Sequence, residues 1–236
     1  MASILIIEST GYNCSVAICN EHGEVLGCIE ELSTEQYIHT EKLHRFIGDC
    51  LLQLEMSFSD LDAVAVSQGP GSYTGLRYGV SAAKGFCSAL DIPLISVNPF
   101  EAMLGMYFSK VEMHEGKIAA MIDARREEVF VQTFDRANNT SSEVKALIVD
   151  EQHGLDNHVW IGDGADKFAG VEKYNAIEIH KGIYTSAVFH AQEAATKFVA
   201  KEFEDLAYFV PFYLKDFVAT KPKTKFSIKG IPKISE

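Results

Sequence analysis

The sequence predicts an α/β fold of two lobes, each built on a mixed sheet with flanking helices, the second lobe reduced. Three observations lead there. Three apolar runs joined by short turns open the chain. A Gly-rich stretch, Ser67-Gln68-Gly69-Pro70-Gly71-Ser72-Tyr73-Thr74-Gly75-Leu76-Arg77, then links an apolar run to a helical pattern. Beyond residue 116 strand-like runs return, followed by one strong helical pattern. With 236 residues, 47% of them hydrophobic, the chain can bury a substantial core.

Ser3–Glu8 contains Ile4-Leu5-Ile6-Ile7, apolar on both faces and hence a central strand. Cys14–Cys19 and Glu24–Glu31 supply two more strands, with Glu21-His22-Gly23 as the hairpin turn between them. Thr40–Met56 repeats Leu43, Phe46/Ile47, Cys50/Leu51 and Leu54 at helical spacing. Ala63–Val66 reads as a buried strand, Leu76–Leu90 as a helix, Ile92–Val97 as a strand and Phe100–Phe108 as a short helix. The charged stretch Ser109–Gly116 marks a boundary between lobes at 1–109 and 110–236. In the second lobe Lys117–Asp123, Val129–Phe134, Val144–Val149 and Val159–Ile161 read as strands. Asn138–Ser142 is a turn, and Gly162-Asp163-Gly164-Ala165 is a second strand-to-helix turn. Ser186–Phe203 is a helix capped by Thr185 or Ser186. From Lys215 on the chain is rich in Lys, and its last fifteen or so residues are expected to be extended and mobile.

A strand, a Gly-rich turn and a helix N-terminus together offer free amide hydrogens and a positive dipole to an anion. The stretch is not a Walker loop, because Leu76-Arg77 stands where Lys-Ser/Thr is needed. It is not a dinucleotide fingerprint either, because Pro70 and Tyr73 block close backbone approach. Ser67, Gly69, Pro70, Gly71, Ser72, Tyr73, Thr74, Gly75 and Arg77 therefore form a loop that serves either a nucleotide or the fold itself. Arg77, one turn into the helix, is expected to brace the loop through carbonyl oxygens rather than bind ligand.

From Ser67 to Gly79 the sequence resembles the signature of the bacterial TsaB family, Ser-x-Gly-Pro-Gly-Ser-Phe-Thr-Gly-Leu-Arg-x-Gly, with Tyr73 in place of Phe. Ile6-Ile7-Glu8-Ser9-Thr10, His39-Thr40-Glu41, Asp123-Ala124-Arg125-Arg126-Glu127-Glu128-Val129-Phe130 and Pro211-Phe212-Tyr213-Leu214-Lys215 extend the likeness, which is dense up to about Phe130. The resemblance implies the actin-like ATPase (ASKHA) fold. It also implies a part in making threonylcarbamoyladenosine at adenosine 37 of tRNA, as a paralogue of the TsaD transferase. In that fold the turn after the first strand cradles phosphates. Glu8 there is either metal-linked or a polar strand end. Asp123, Arg125 and Glu128 either face a ligand across the interlobe cleft or form a solvated hairpin tip, and the family pattern favours the cleft.

TsaD-type proteins hold a metal through His-x-x-x-His on a helix after a strand, since four-residue spacing sets two imidazoles on one helix face. Here Pro99 and Met103 occupy those positions. The eight histidines contain no pair four apart, so surface or capping roles are the expectation for all of them, and no metal site is expected. No catalytic residue is assigned. Ser72 and Thr74 have no base beside them in sequence. The five cysteines, Cys14, Cys19, Cys28, Cys50 and Cys87, are odd in number and lack Cys-x-x-Cys spacing, so they read as reduced core residues of a cytoplasmic protein. No stretch has the length and apolarity of a membrane span.

The formal net charge is −12. Such a surface repels phosphate backbones, so tRNA is expected to be met only through a complex. The resemblance implies a TsaD-type catalytic subunit, a TsaE-type ATPase and a second copy of this chain as partners. It implies no tightly bound cofactor, with ATP or ADP held only weakly or in the complex. The interface would lie on the first-lobe helices, at Leu43, Phe46, Ile47, Val80 and Lys84, although apolar residues alone do not separate a partner face from a core. Two other readings remain at this point: a free-standing actin-like ATPase or kinase using the Gly-rich loop for phosphates, and a metallopeptidase.

Overall fold

The computed structural model describes residues 2–33, 38–111, 116–150 and 154–215. The expected mobile tail lies outside them.

β1 (Ser3–Glu8), β2 (Asn13–Asn20) and β3 (Val25–Leu32) form an antiparallel meander. β1 also pairs in parallel with β4 (Ala63–Ser67), which pairs in parallel with β5 (Leu94–Val97). The order is β3-β2-β1-β4-β5, with β1 at the centre. This is why Ile4-Leu5-Ile6-Ile7 is apolar on both faces, and all four are fully buried. The period-two alternation sorts the faces. Leu5, Ile7, Val16, Ile18, Val64 and Val66 meet α1 (His39–Gln53) and α2 (Tyr73–Leu90). Ile4, Ile6, Ala17, Ala63 and Ala65 meet α5 (Ala191–Ala200) through Ala191, Ala194 and Ala195. Small residues on both sides let that last helix lie close to the sheet.

The second sheet comprises β6 (Lys117–Asp123), β7 (Glu128–Asp135), β8 (Thr140–Ser141), β9 (Lys145–Ile148), β10 (His158–Ile161) and β11 (Ile179–His180). Its order is β11-β10-β6-β7-β8, with β9 also on β7. α3 (Pro99–Lys110) covers one face, where Phe100, Met103 and Tyr107 pack with Ile118, Ala120 and Ile161. The other face carries α4 (Asp163–Asp166) and an aromatic cluster, in which Trp160 lies 5.6 Å from Tyr174 and 6.0 Å from Phe168. The two sheets thus exchange helices. α3 follows the first sheet in sequence and covers the second, while α5 follows the second and covers the first. A division at 109/110 separates two sheets, not two independent cores. The result is an α/β fold of two mixed sheets with flanking helices, as expected from the sequence.

Several boundaries differ from the sequence expectation for local reasons. α2 starts at Tyr73, not Leu76, because Ser72 caps it, its hydroxyl accepting from the Gly75 amide at 3.3 Å. The expected helix 186–203 is a 3-10 turn at Ala187–His190 followed by α5, which ends at the left-handed Lys201. The Ser186 hydroxyl caps nothing, since it donates to Glu30 at 2.6 Å. β8 lies inside the expected turn 138–142 and pairs with Phe134 and Asp135. Four cysteines are buried, Cys28 is half-buried, and all five are free thiols. Burial pushes Cys14 and Cys19 up to about 12, so neither is a ready nucleophile.

Candidate functional site

The Gly-rich loop runs off the end of β4 and is pressed onto the turn between β1 and β2. The Ser72 amide donates to the Thr10 carbonyl at 2.8 Å, and the Ser9 hydroxyl donates to the Gly75 carbonyl at 3.0 Å. A Cβ on Gly71 would stand 2.5 Å from the Thr10 oxygen. On Gly75 it would stand 2.1 Å from the Ser9 oxygen, and on Gly79 2.2 Å from the Ser9 hydroxyl. These glycines are required for backbone-on-backbone contact. The Ser72 and Gly75 amides, which an anion would need, are turned to the chain's own oxygens. Ser67 is buried, and Gly69, at φ +97, precedes a cis bond to Pro70. Arg77 does not brace the loop as expected. It is exposed, and its guanidinium lies 5.6 Å from the centroid of the Tyr73 ring.

Glu8 ends β1 and is fully buried. It accepts from the Thr10 amide at 2.6 Å, from the Thr10 hydroxyl, and from His190 Nε2 at 2.7 Å. Burial alone would raise this carboxyl. The His190 hydrogen bond and charge, with the Thr10 bonds, hold it below the usual range. Its oxygens are thus committed within the chain. His39 is buried too, with Nε2 2.8 Å from the Gly11 carbonyl, and burial lowers its pKa. The expectation that all eight histidines cap or meet solvent fails for these two. Each pins one side of the β1–β2 turn. Nearby, Glu30 accepts from Asn13 at 3.0 Å, Ser15 at 3.2 Å and Ser186, which ties the segment before α5 to the first sheet.

Between the lobes, beside Gly11 and Tyr12, is a cavity of only ≈70 Å³ lined by Asp163, Asp166, Gly182 and Thr185. Burial, with the charges of Asp123 and Asp166, pushes the Asp163 carboxyl up to about 7. A wider opening of ≈620 Å³ lies between the Gly-rich loop, the hairpin 123–130 and the segment 212–215. The structure brings Asp123, Arg125 and Glu128 to this opening and leaves Glu8 sealed away from solvent. Asp123 accepts from Lys167 at 2.8 Å and from the Arg125 amide at 2.9 Å, and Glu128 pairs with Lys215.

Pro99 is the first residue of α3, with Asn98 as its cap, accepting from Phe100 at 3.0 Å. Met103 is buried, and a Cβ on Gly162 would stand 2.8 Å from its sulfur. Among the described residues no group of three or more His, Cys, Asp or Glu is arranged to hold a metal ion. The expected interface residues also need correction. Leu43, Phe46, Ile47 and Val80 belong to the chain's own core, where each buried side chain stabilises the fold by roughly 1.5–3 kcal/mol. Lys84 donates to the carbonyls of Ala207 and Phe209 at 3.2 and 3.0 Å, holding the C-terminal segment. His190, Glu30 and Asp163 were not singled out as site residues from sequence, and no local pattern marks them.

Two outcomes follow from this geometry. Gly75→Ala should destabilise by about 2–3 kcal/mol through overpacking, whereas Gly48→Ala on α1, with nothing within 4 Å, should stabilise by about 0.5–1 kcal/mol. Chemical denaturation measures both, and equal effects would contradict the packing role of Gly75. The raised carboxyl of Asp163 stabilises the fold while protonated, fully below its unfolded value of 3.8, and loses that as pH rises through 7. Asp163→Asn, neutral throughout, should therefore stabilise by about 1–2 kcal/mol at pH 8, allowing for partial exposure. Below pH 4 the gain should vanish. A thermal-unfolding midpoint raised equally at both pH values would exclude this.

Residues 29–224 match the family model described as TsaD, tRNA N6-adenosine threonylcarbamoyltransferase. A Bacillus subtilis protein named tRNA threonylcarbamoyladenosine biosynthesis protein TsaB is 30% identical over 145 residues, 60% of this chain and 59% of that one. The Escherichia coli protein of the same name is 28% identical over 229 residues, 92% of this chain and 96% of that one. In structure, YeaZ from Pseudomonas aeruginosa superposes with a TM-score of 0.73 at 21% identity, over 91% of this chain and all of the other, a likeness of fold. The chain belongs to the TsaD family and stands within it among the TsaB proteins.

Proposed function

We propose that this chain takes part in forming threonylcarbamoyladenosine on tRNA as a non-catalytic subunit that binds a TsaD-type catalytic subunit. A TsaE-type ATPase is the third partner, and adenosine 37 is reached only in the complex. The names of the Bacillus and Escherichia relatives support the process. One observation supports the lack of chemistry: the turn after β1 is filled by the chain itself. The loop glycines close on Ser9 and Thr10, Glu8 is bonded to Thr10 and His190, and the remaining cavity is ≈70 Å³. Ligand pockets usually run to roughly 300–1,000 Å³. Two carboxylates line this cavity, which repels phosphate. A free-standing ATPase is therefore disfavoured. Pro99 and Met103 offer no imidazole, which likewise disfavours a metallopeptidase.

The proposed partner face is the outer side of α1 and α2, for TsaD and for a second copy alike. Leu52 is 76% exposed there. His44 lies 5.5 Å from Tyr78 and 6.1 Å from Phe86, and Phe86 stacks on Phe58 at 5.4 Å. Ser81 and Gly85 are exposed between these rings. Aromatic anchors around a small-residue track suit helix-on-helix docking. A cytoplasmic setting accords with this work. Among the described residues no helix is long and apolar enough to cross a membrane.

The test is reconstitution of carbamoyl transfer to tRNA by TsaD- and TsaE-type proteins, with and without this chain. Product should depend on it. The double variant Ser81→Glu, Gly85→Glu should lower both recovery of TsaD and product by about tenfold or more. Full yield without the chain would remove its proposed role. Undiminished pairing by a folded double variant would place the interface on another face.

A further inference from the structure

We propose that the ≈970 Å³ groove between α3, the end of β7 and the start of α5 seats this chain's own Lys-rich end, with Phe226 and Ile228 on its apolar floor and Lys225 or Lys229 at Glu101. The floor of the groove, the charge at its rim, the sequence of the end and its reach all point there.

The floor is apolar and open. Leu104, Phe108, Ile118, Phe134 and Phe189 line it, and the three phenylalanines are only half-buried. On α3, Glu101, Gly105 and Phe108 share one face at helical spacing. Gly105 lets Phe189 come close, since a Cβ there would stand 3.2 Å from that ring. The Arg136 guanidinium lies 4.1 Å from the centroid of the Phe108 ring and walls one end. An apolar hollow of this size calls for an occupant.

The other end is acidic. Glu101 lies in the first turn of α3, about 10 Å along the helix from Phe108. Among the described residues its carboxylate has no hydrogen-bond or ion-pair partner. Glu193, also at the groove, is held by Lys197 at 2.9 Å and by the Asn98 amide at 3.0 Å. Burial, and then the charge of Glu193, push the Glu101 carboxyl up. A cation is thus wanting at Glu101. Acids at other openings are already engaged: Glu30 by Asn13, Ser15 and Ser186, Asp49 by Arg45, Asp123 by Lys167, and Glu128 by Lys215.

The end of the chain has the matching composition. Residues 216–236 carry five lysines against two acids, Asp216 and Glu236, on a chain of net charge −12. Lys225-Phe226-Ser227-Ile228-Lys229 alternates polar with apolar residues, the period that sorts an extended segment into two sides. Pro222 and Pro232 bracket this stretch and disfavour a helix across it. A lysine stem is long enough to lie on apolar surface while its ammonium meets a carboxylate at the rim.

Reach is sufficient. Lys215 pairs with Glu128, the first residue of β7, and the groove lies by Phe134 and Asp135 at the other end of that strand. The strand covers about 23 Å between them. The chain from Lys215 to Phe226 spans up to about 36 Å.

The full-length chain supplies the test. Backbone ¹⁵N relaxation should give order parameters of about 0.8 for residues 225–229, where a free end gives about 0.6 or less. Carbodiimide coupling followed by mass spectrometry should join Lys225 or Lys229 to Glu101. In a mixture of ¹⁴N- and ¹⁵N-labelled chains, each such link should carry one isotope only. Glu101→Lys changes an exposed side chain and leaves the floor intact. It should lower the order parameters to those of a free end, and adding Lys225→Glu with Lys229→Glu should restore them. Phe226→Asp should free the end without altering any groove residue. Four results would each overturn the proposal: an end already free in the parental chain, coupling to acids elsewhere, order unchanged by Glu101→Lys or by Phe226→Asp, and mixed-isotope links, which would assign the groove to a second copy. None of these readouts needs tRNA or a TsaD-type protein, so they stand apart from the reconstitution of carbamoyl transfer.

Discussion

The contact on which the rest depends is the meeting of two backbones, α2 against the turn after β1. Ser9 and Thr10 present carbonyl oxygens and a hydroxyl, and Gly71, Gly75 and Gly79 present no side chain in return. At that range no methyl fits, so the helix sits lower on the sheet than any other residue would allow. Two consequences follow from one geometry. The helix buries Val80, Ala83 and Cys87 in the first core. The space in which a phosphate would sit is taken up by the loop. The same Gly-rich residues close on the turn after β1 and leave a cavity of only ≈70 Å³ beside it.

The second constraint is how the chain closes on itself. The segment before α5 must cross from the second sheet back to the first. It is held there by polar bonds inside the protein: His190 to Glu8, Asn13 to the Thr185 carbonyl, and Ser186 to Glu30. Buried groups of this kind stabilise only if each is satisfied, and losing one partner strands the other at roughly 1–3 kcal/mol. The network therefore specifies one arrangement of the crossing segment. With α3 covering the second sheet and α5 the first, neither sheet is complete without a helix from the other half. Here exchanged helices and internal bonds favour a fixed surface.

How much of this was legible depended on the range of each interaction. Continuous apolar runs such as Ile4–Ile7 and Ala63–Val66 announced central strands, because burial on both faces leaves no polar position. Lys117–Asp123 matched the strand residue for residue. Caps shifted the ends: Ser72 started α2 early, and the commitment of Ser186 to Glu30 left a 3-10 turn in place of a capped helix. The apolar stripe on α1 was read as a partner face and proved to be core, since helical spacing reports that a face is buried and not by what. His190 and Glu8 lie 182 positions apart, and no spacing rule reaches that far. Arg77 was expected at carbonyls; only the position of the Tyr73 ring shows why it lies over an aromatic face instead.

The hairpin at Arg125 and Arg126 is where local preference and the fold disagree most. In the first lobe residue choice and conformation largely agree, with apolar residues on buried faces, glycine where backbones touch and serine at a helix cap, although Glu55 and Asp91 also take left-handed backbone there. A sequence in which levels agree folds to one structure, and departures gather where something other than folding is selected. Two left-handed arginines disfavour the turn by about 1–2 kcal/mol each relative to glycine. They do so at the mouth of the widest opening beside the loop, on a chain whose net charge is otherwise acidic. Folding alone would remove that strain with a glycine.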